Sequence, residues 1–513
     1  MPILNWLNKE QAVTTARNCP YRLLEQVPEL SYGEQDTDNM LIQGDNLEAL
    51  KALIPTHAGR VKCIFIDPPY NTKSAFEHYD DNLEHSKWLS MIYPRLELLH
   101  QLLSENGSIW ITLNDNEAHY MKVICDEIFG RANFISNSIW QKKYAASNDA
   151  KGLSEDHDHI IVYAKSKSNW VPNKLPRNTE SNKAYKNPDN DPRGLWQSDN
   201  YKCNKSSSER PNLYYPIIQP STGEEIWPSK TAVWRYNQAT HQKHIQEGMI
   251  WWGKDGENNT PRFKRFLSKV DNTSVPQSVW LWQDVGHNQD AKREVLKLNP
   301  ESPFSTPKPE KLIQRIIHIA SKEHDLVLDS FLGSATTAAV AMKMNRKYIG
   351  IELGDHAVTH CQPRLQKVID GEQGGISKDV NWTGGGGFNF YRLGEIIFNE
   401  NGSLKKDISF SALAAHIWYG NTRSPLEQNK KFPLLGVHNG VAYYLLYNGI
   451  LGDKRPDGGN VLTSKVLAML PEHPLDVKNG KKVIYGETSR MGTARLKNEN
   501  IIFKQIPYDV KGR

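Results

Sequence analysis

The stretch Val61-Lys62-Cys63-Ile64-Phe65-Ile66-Asp67-Pro68-Pro69-Tyr70 begins as an apolar run and stops in an acid, two prolines and an aromatic. A run of this length, closed by prolines, is predicted to be a buried strand of an α/β sheet. In a doubly wound sheet the C-terminal edge of the strands is where ligands bind, because the loops there leave a crevice between helices. At that edge Asp67 can accept a hydrogen bond from an exocyclic amine, and the Pro68 carbonyl can accept a second. Pro68 and Pro69 fix the backbone so that the acceptors stay in place, and Tyr70 offers a ring face to a planar base. Such a cup suits an amino group on a flat ring. A strand-ending turn with a surface tyrosine would read the same way, so the stretch is weighed with what lies downstream.

Residues 325–330 (DLVLDS) read as another strand, Phe331-Leu332-Gly333-Ser334 as a tight turn, and residues 335–344 as a helix beginning at Thr336 and Thr337. A further strand over 348–351 ends in Glu352. A glycine-containing turn, a helix N-terminus and an acid about 20 residues on form the layout that holds a nucleoside through its ribose hydroxyls. Between the two motifs, 88–103 reads as a helix, 108–113 as a strand and 120–129 as a helix. This alternation predicts a parallel sheet with helices on both faces. Residues 311–320 form another amphipathic helix, and the glycine run Gly384 to Gly387 leads into a last edge strand over 388–393.

On these residues the chain resembles an amino-group DNA methyltransferase of the beta arrangement, in which the catalytic tetrad precedes the cofactor loop. It is most similar to the modification subunit of type III restriction-modification systems. The resemblance covers roughly residues 35–395 and includes Ile42-Gln43-Gly44-Asp45-Asn46-Leu47 and Phe304-Ser305-Thr306-Pro307-Lys308-Pro309. It implies a Rossmann-like S-adenosyl-L-methionine-dependent core with circularly permuted motif order and an inserted target-recognition domain; beyond residue 395, apolar runs alternating with Gly/Asp turns suggest a small C-terminal α/β domain. Asp67, Pro68, Pro69 and Tyr70 would be catalytic. Asp329, Phe331, Gly333, Ser334 and Thr336 would hold the cofactor in its loop, Glu352 would take the ribose, and Lys308 would face the methionine carboxylate. Asp45 would lie near the cofactor's adenine, or else cap a helix. The pattern departs from the family at Ala335, where a glycine is usual; a methyl group there is a mild change.

The implied substrate is double-stranded DNA whose target base is swung out of the helix. Aspartate at the first tetrad position favours adenine N6, with cytosine N4 as the alternative. A methyltransferase acting on RNA or protein and a non-catalytic DNA-binding subunit are the other classes. A cytosine-C5 enzyme needs a nucleophilic cysteine, usually in a Pro-Cys pair, and the sequence has no such pair. A restriction (helicase-nuclease) subunit and a second copy of the chain are the implied protein partners.

With 513 residues the chain has room for two to four domains. The expected division is an N-terminal arm (1–38), a catalytic half-core (39–143), the inserted recognition domain (144–290), a cofactor-binding half-core (291–395) and a C-terminal domain without visible chemistry (396–513). The insertion is rich in Asn, Ser, Pro and Trp, and its basic residues Arg262, Lys264 and Arg265 are candidates for DNA contact. Trp140, just before it, lines the base pocket or belongs to the core. A net charge of +5 permits nucleic-acid binding without arguing for it. Mean hydropathy is −0.62, and neither a membrane span nor a signal peptide is expected. The five cysteines are scattered without zinc-site spacing. No metal is expected, and the compartment is the cytoplasm.

Overall fold

The computed structural model describes residues 3–72, 84–147, 150–177, 179–398, 404–405, 408–427, 432–472 and 479–510. It divides into two units, Met1–Asn173 with Gln277–Arg513, and Lys174–Pro276.

The larger unit is built on one mixed sheet. Its main strands in chain order, apart from the short Tyr32–Gly33 that pairs with the start of the last, are β1 (Arg22–Gln26), β2 (Met40–Gln43), β3 (Val61–Ile66), β4 (Leu103–Leu113), β5 (Phe134–Gln141), β6 (His157–Ala164), β7 (Val279–Trp280), β8 (Leu326–Asp329), β9 (Lys347–Glu352) and β10 (Gly387–Ile396). Across the sheet they lie in the order β1-β10-β2-β9-β8-β3-β4-β6-β5-β7. The six from β10 to β4 run parallel. The helices that serve the site are α1 (Lys9–Asn18), α2 (Asn46–His57), α3 (His85–Leu102), α4 (Ala118–Cys125), α5 (Glu310–Ala320) and α6 (Thr336–Lys343).

Central position explains why β3 reads as an unbroken apolar run. It has parallel neighbours on both sides, and Val61, Cys63, Ile64, Phe65 and Ile66 are all within 2% of full burial. A strand covered on both faces has no solvent side on which to alternate. β3 and β8 are adjacent, with Cys63 opposite Val327 and Ile64 opposite Leu328. The chain leaves β3 through α3 toward β4 on one side and leaves β8 through α6 toward β9 on the other. The sheet's connections thus diverge between β3 and β8, and a crevice opens there beyond the strand ends.

Two expectations change. The strand over 388–393 is not an edge, because β1 from the N-terminal arm pairs antiparallel with it; an added strand satisfies the backbone groups an edge would leave open. The arm is also fastened by α1, where Lys9 pairs with Glu127 at 2.8 Å, and by Trp6, whose indole N–H donates to Ser90 at 2.8 Å. The stretch 144–290 is not one insertion: β6 and β7 fall inside it yet belong to the central sheet, which leaves Lys174–Pro276 as the separate unit.

That unit carries a three-stranded antiparallel sheet of Ile250–Trp251, Arg262–Phe266 and Trp196–Asn200. Its aromatic residues build two small cores, one around Tyr201, Tyr215, Ile217 and Trp234 and one around Trp196, Met249 and Phe266. The C-terminal region forms a four-stranded sheet with helix α7 (Phe410–Thr422), and its core includes Ile397, Leu413, Ile417 and Tyr485. Tyr21 and Leu23 of the N-terminal arm pack against the same core.

Candidate active site

The Asp67 cup and the Phe331 turn leave the ends of adjacent strands and line one cavity of about 520 Å³. The cup is braced from three directions. The Thr112 hydroxyl on β4 donates to Asp67 Oδ1 at 2.6 Å, Lys308 pairs with Asp67 Oδ2, and the Trp88 indole of α3 donates to the Pro69 carbonyl at 2.8 Å. Lys308 Nζ also stands 5.1 Å from the centre of the Tyr70 ring. The resemblance points Lys308 at a methionine carboxylate; here its ammonium pairs with Asp67.

Tyr70 donates its hydroxyl to Asp158 Oδ2 at 3.3 Å, and Lys142 pairs with the other oxygen of Asp158 at 2.7 Å. Burial, with Asp158 and then Asp67 nearby, raises the Tyr70 phenol well above its ordinary value. It therefore stays a proton donor at any physiological pH. Thr112, Lys142 and Asp158 escaped the sequence reading. Their signal is a polar side chain within a strand otherwise buried: Thr112 is 0% and Asp158 2% exposed. Buried polar groups persist only with partners, so each points to a neighbour worth finding.

The cofactor-loop candidates also converge. Asp329 accepts from the Phe331 N–H at 3.0 Å and from the Thr337 hydroxyl at 2.6 Å. Burial nevertheless pushes its carboxyl up to about 7. Glu352, at the end of β9 and 2% exposed, accepts from the Gly333 N–H at 2.6 Å. At Gly333 φ is +58°, a conformation that favours glycine, and a Cβ there would stand 3.2 Å from the Phe304 ring, which would have to shift. Ser334 and Thr336 are tied through Arg364, which donates to the Ser334 carbonyl at 3.1 Å and the Thr336 hydroxyl at 2.8 Å. Arg364 also pairs with buried Glu310, the residue that opens α5 two positions after Lys308. The Lys308 segment and the cofactor loop are thereby held to each other. Ala335 adopts φ 60° and ψ 28°, a left-handed conformation. The usual glycine there answers a backbone requirement as well as a spatial one.

Other candidates lie apart. Asp45 caps α2, accepting from the Leu47 and Glu48 N–H groups, and pairs with Arg95 at 3.0 Å; it does not line the cavity. Asn46 beside it reaches the cofactor loop instead, donating to the Ser330 carbonyl at 2.7 Å. Trp140 is fully buried, with its indole N–H on the Gly286 carbonyl, and so is core. Lys264 is buried between Asp189 and Asp191, with Trp196 beside it, and is not a free cation for phosphate. Arg262 is turned toward Ser198 and Asn200 of the neighbouring strand. Arg265, an odd number of residues away, projects from the opposite face and is exposed. The three basic residues therefore form no single patch.

A family model described as DNA methylase matches residues 61–222 and 215–362, more than half of the chain. The chain belongs to the DNA methylase family. Over 71% of its length this methylase is 33% identical to a probable type III restriction-modification enzyme HindVI Mod subunit from Haemophilus influenzae, of which it covers 54%. It is 32% identical over 61% of its length to the StyLTI Mod subunit of Salmonella typhimurium, covering 51%. It is 30% identical over 68% of its length to the EcoPI Mod subunit of Escherichia phage P1, covering 62%. The methylase thus spans between half and two thirds of these relatives. No helix among its described residues is long and apolar enough to cross a membrane.

Proposed function

We propose that this DNA methylase transfers a methyl group from S-adenosyl-L-methionine to the N6 amine of adenine in double-stranded DNA, as the modification subunit of a restriction-modification system. The observation that carries the proposal is the single cavity lined by both the Asp67 cup and the Phe331 turn. Methyl transfer to a nitrogen needs no covalent intermediate; alignment of donor and acceptor supplies much of the acceleration.

The chain's residues fit the cofactor. Gly333 keeps the turn open beside Phe304, and the buried Glu352 carboxylate stands behind it at the place a ribose-binding acid takes. Bound there, S-adenosyl-L-methionine supplies an electrophilic methyl group. Asp67 and the Pro68 carbonyl accept the two amine hydrogens and turn the nitrogen lone pair toward that methyl. Thr112 fixes one oxygen of Asp67, so the other faces the amine. Lys308 pairs with that second oxygen, which the amine would share on binding. Tyr70, with its hydroxyl anchored on Asp158, presents its ring to the extruded base. Aspartate in the first tetrad position supports adenine over cytosine.

The relatives' designation as Mod subunits supports a restriction subunit as partner, and with it a place in the cytoplasm near DNA. Pairing of two copies belongs to the same proposal, and light scattering of the purified chain tests it. The central test is modification-sensitive sequencing of DNA from a methylation-deficient host expressing the chain. N6-methyladenine in a fixed sequence context is the expected result; N4-methylcytosine, or no modification by a folded protein, would overturn it.

A further inference from the structure

Away from the cavity, the turn after β4 brings together groups that the sequence keeps apart. Leu113, the last residue of β4, pairs with His159 on antiparallel β6, so the chain leaving β4 crosses the start of β6. Asp115 follows in the turn and His119 in the first turn of α4, and their side chains come back to His159. Asp115 Oδ1 is 2.8 Å from His159 Nε2 and 3.8 Å from His119 Nε2, and all three donor atoms lie within 4.8 Å of one another. His159, His157 and His119 all stand close enough to act on the Asp115 carboxylate.

We propose that Asp115, His119 and His159 bind a divalent transition-metal ion of the zinc class. Two imidazoles and one carboxylate match the ligand preference of zinc, nickel or copper and not that of magnesium or calcium, which take oxygen. Three protein ligands leave a fourth tetrahedral position for water. Bonds of about 2.1 Å to such an ion set the donors roughly 3.4 Å apart, so Asp115 and His159 must part slightly from their 2.8 Å contact while His119 makes a small closing movement. His119 can make it, since its side chain is 72% exposed. His159 is already oriented: it is buried, and its Nδ1 lies against the Asn137 side-chain amide, 3.2 Å from the oxygen and 2.9 Å from the nitrogen. When Nε2 binds an ion, Nδ1 carries the proton, and the Asn137 amide oxygen is placed to accept it. Orientation of a ligating histidine by a partner on its second nitrogen is the usual supporting arrangement.

A hydrogen bond between Asp115 and His159 alone would explain their contact. It would leave His119 aimed at the same oxygen from beyond hydrogen-bond reach. The ion would pin the start of β6 from the face opposite Asp158, because neighbouring residues of a strand point to opposite sides. The proposal does not depend on the methyl-transfer chemistry.

The test uses the full chain freed of metal by chelation and titrated with cobalt(II), whose visible spectrum reports low coordination. Saturable d–d absorption at one ion per chain, displaced by zinc and without thiolate charge-transfer bands, is expected. His119→Ala and Asp115→Asn, both at exposed positions, should weaken binding at least tenfold. Asn137→Ala should weaken it by about 10- to 100-fold, and His438→Ala on the C-terminal sheet should not change it. Absence of the absorption, a cysteine signature, or unchanged affinity in folded His119→Ala and Asp115→Asn proteins would overturn the proposal.

Discussion

Asp67 divides its two oxygens between a hydroxyl and an ammonium, and this division decides what its loss should do. Asp67→Ala removes the acceptor that the proposed transfer uses and strands Lys308, whose side chain is 11% exposed. Tritiated methyl incorporation should fall to background. Breaking a wholly buried pair costs about 3–5 kcal/mol; with Lys308 partly reached by solvent, a smaller loss is expected in a denaturant melt. DNA affinity at fixed salt should persist, because phosphate contacts dominate it. Substantial methylation by a folded Asp67→Ala protein would refute the mechanism. Glu352→Ala should weaken S-adenosyl-L-methionine binding by about 1.5–3 kcal/mol, roughly 10- to 150-fold, as charge-assisted hydrogen bonds are worth. An unchanged dissociation constant by calorimetry would remove Glu352 from the site.

At the scale of elements, the turn joining β8 to α6 carries a pH dependence of its own. Asp329 at its base titrates near 7 in the folded chain, against an ordinary value of 3.8. Between those values the folded protein holds more protons than the unfolded one, so stability falls as pH rises through the window. Three units at about 1.36 kcal/mol each give an upper figure of roughly 4 kcal/mol. Asp329→Asn should flatten that loss, which urea melts at acid and alkaline pH will show; parallel curves for the two proteins would contradict it. The turn itself was legible because Phe331-Leu332-Gly333-Ser334 follows an apolar run and precedes threonines that start a helix. The conformation at Ala335 was not legible, since alanine gives no sign of a positive φ. Nor were the supports of the cup: Thr112 and Asp158 come from strands that reach β3 only through sheet order, and sheet order is not written locally. The dispersal of the basic residues of the 262–266 strand was not legible for a related reason, because alternation and buried acids redistribute charges that look clustered in sequence. Replacing Lys174–Pro276 with the matching unit of a relative should transfer DNA target choice while methyl transfer continues. A folded, active chimera with the original target would place recognition elsewhere.

For the whole molecule, the C-terminal region is less detachable than its lack of catalytic motifs suggests. Ile397, Leu413, Ile417 and Tyr485 share a core with Tyr21 and Leu23, which flank or belong to the strand covering β10. A chain ending at residue 395 should therefore melt about 10 °C or more below the full chain, or aggregate, as several kcal/mol of lost burial requires in a protein of this size. Equal melting temperatures would show the two regions to be independent.

The adjacency of β3 and β8 bears on how the protein is made as well as on what it does. The strand that completes one side of β3 is encoded about 260 residues after it, so at synthesis rates of about 5–20 residues per second the nascent chain waits roughly 13 to 50 s for that partner. During that interval β3, the most apolar strand of the site, can pair with β4 alone, and its other edge is open to any strand that arrives. Such an edge is a template for misassembly. Slowing translation between the two motifs should therefore reduce the yield of soluble protein without altering a single contact of the finished fold.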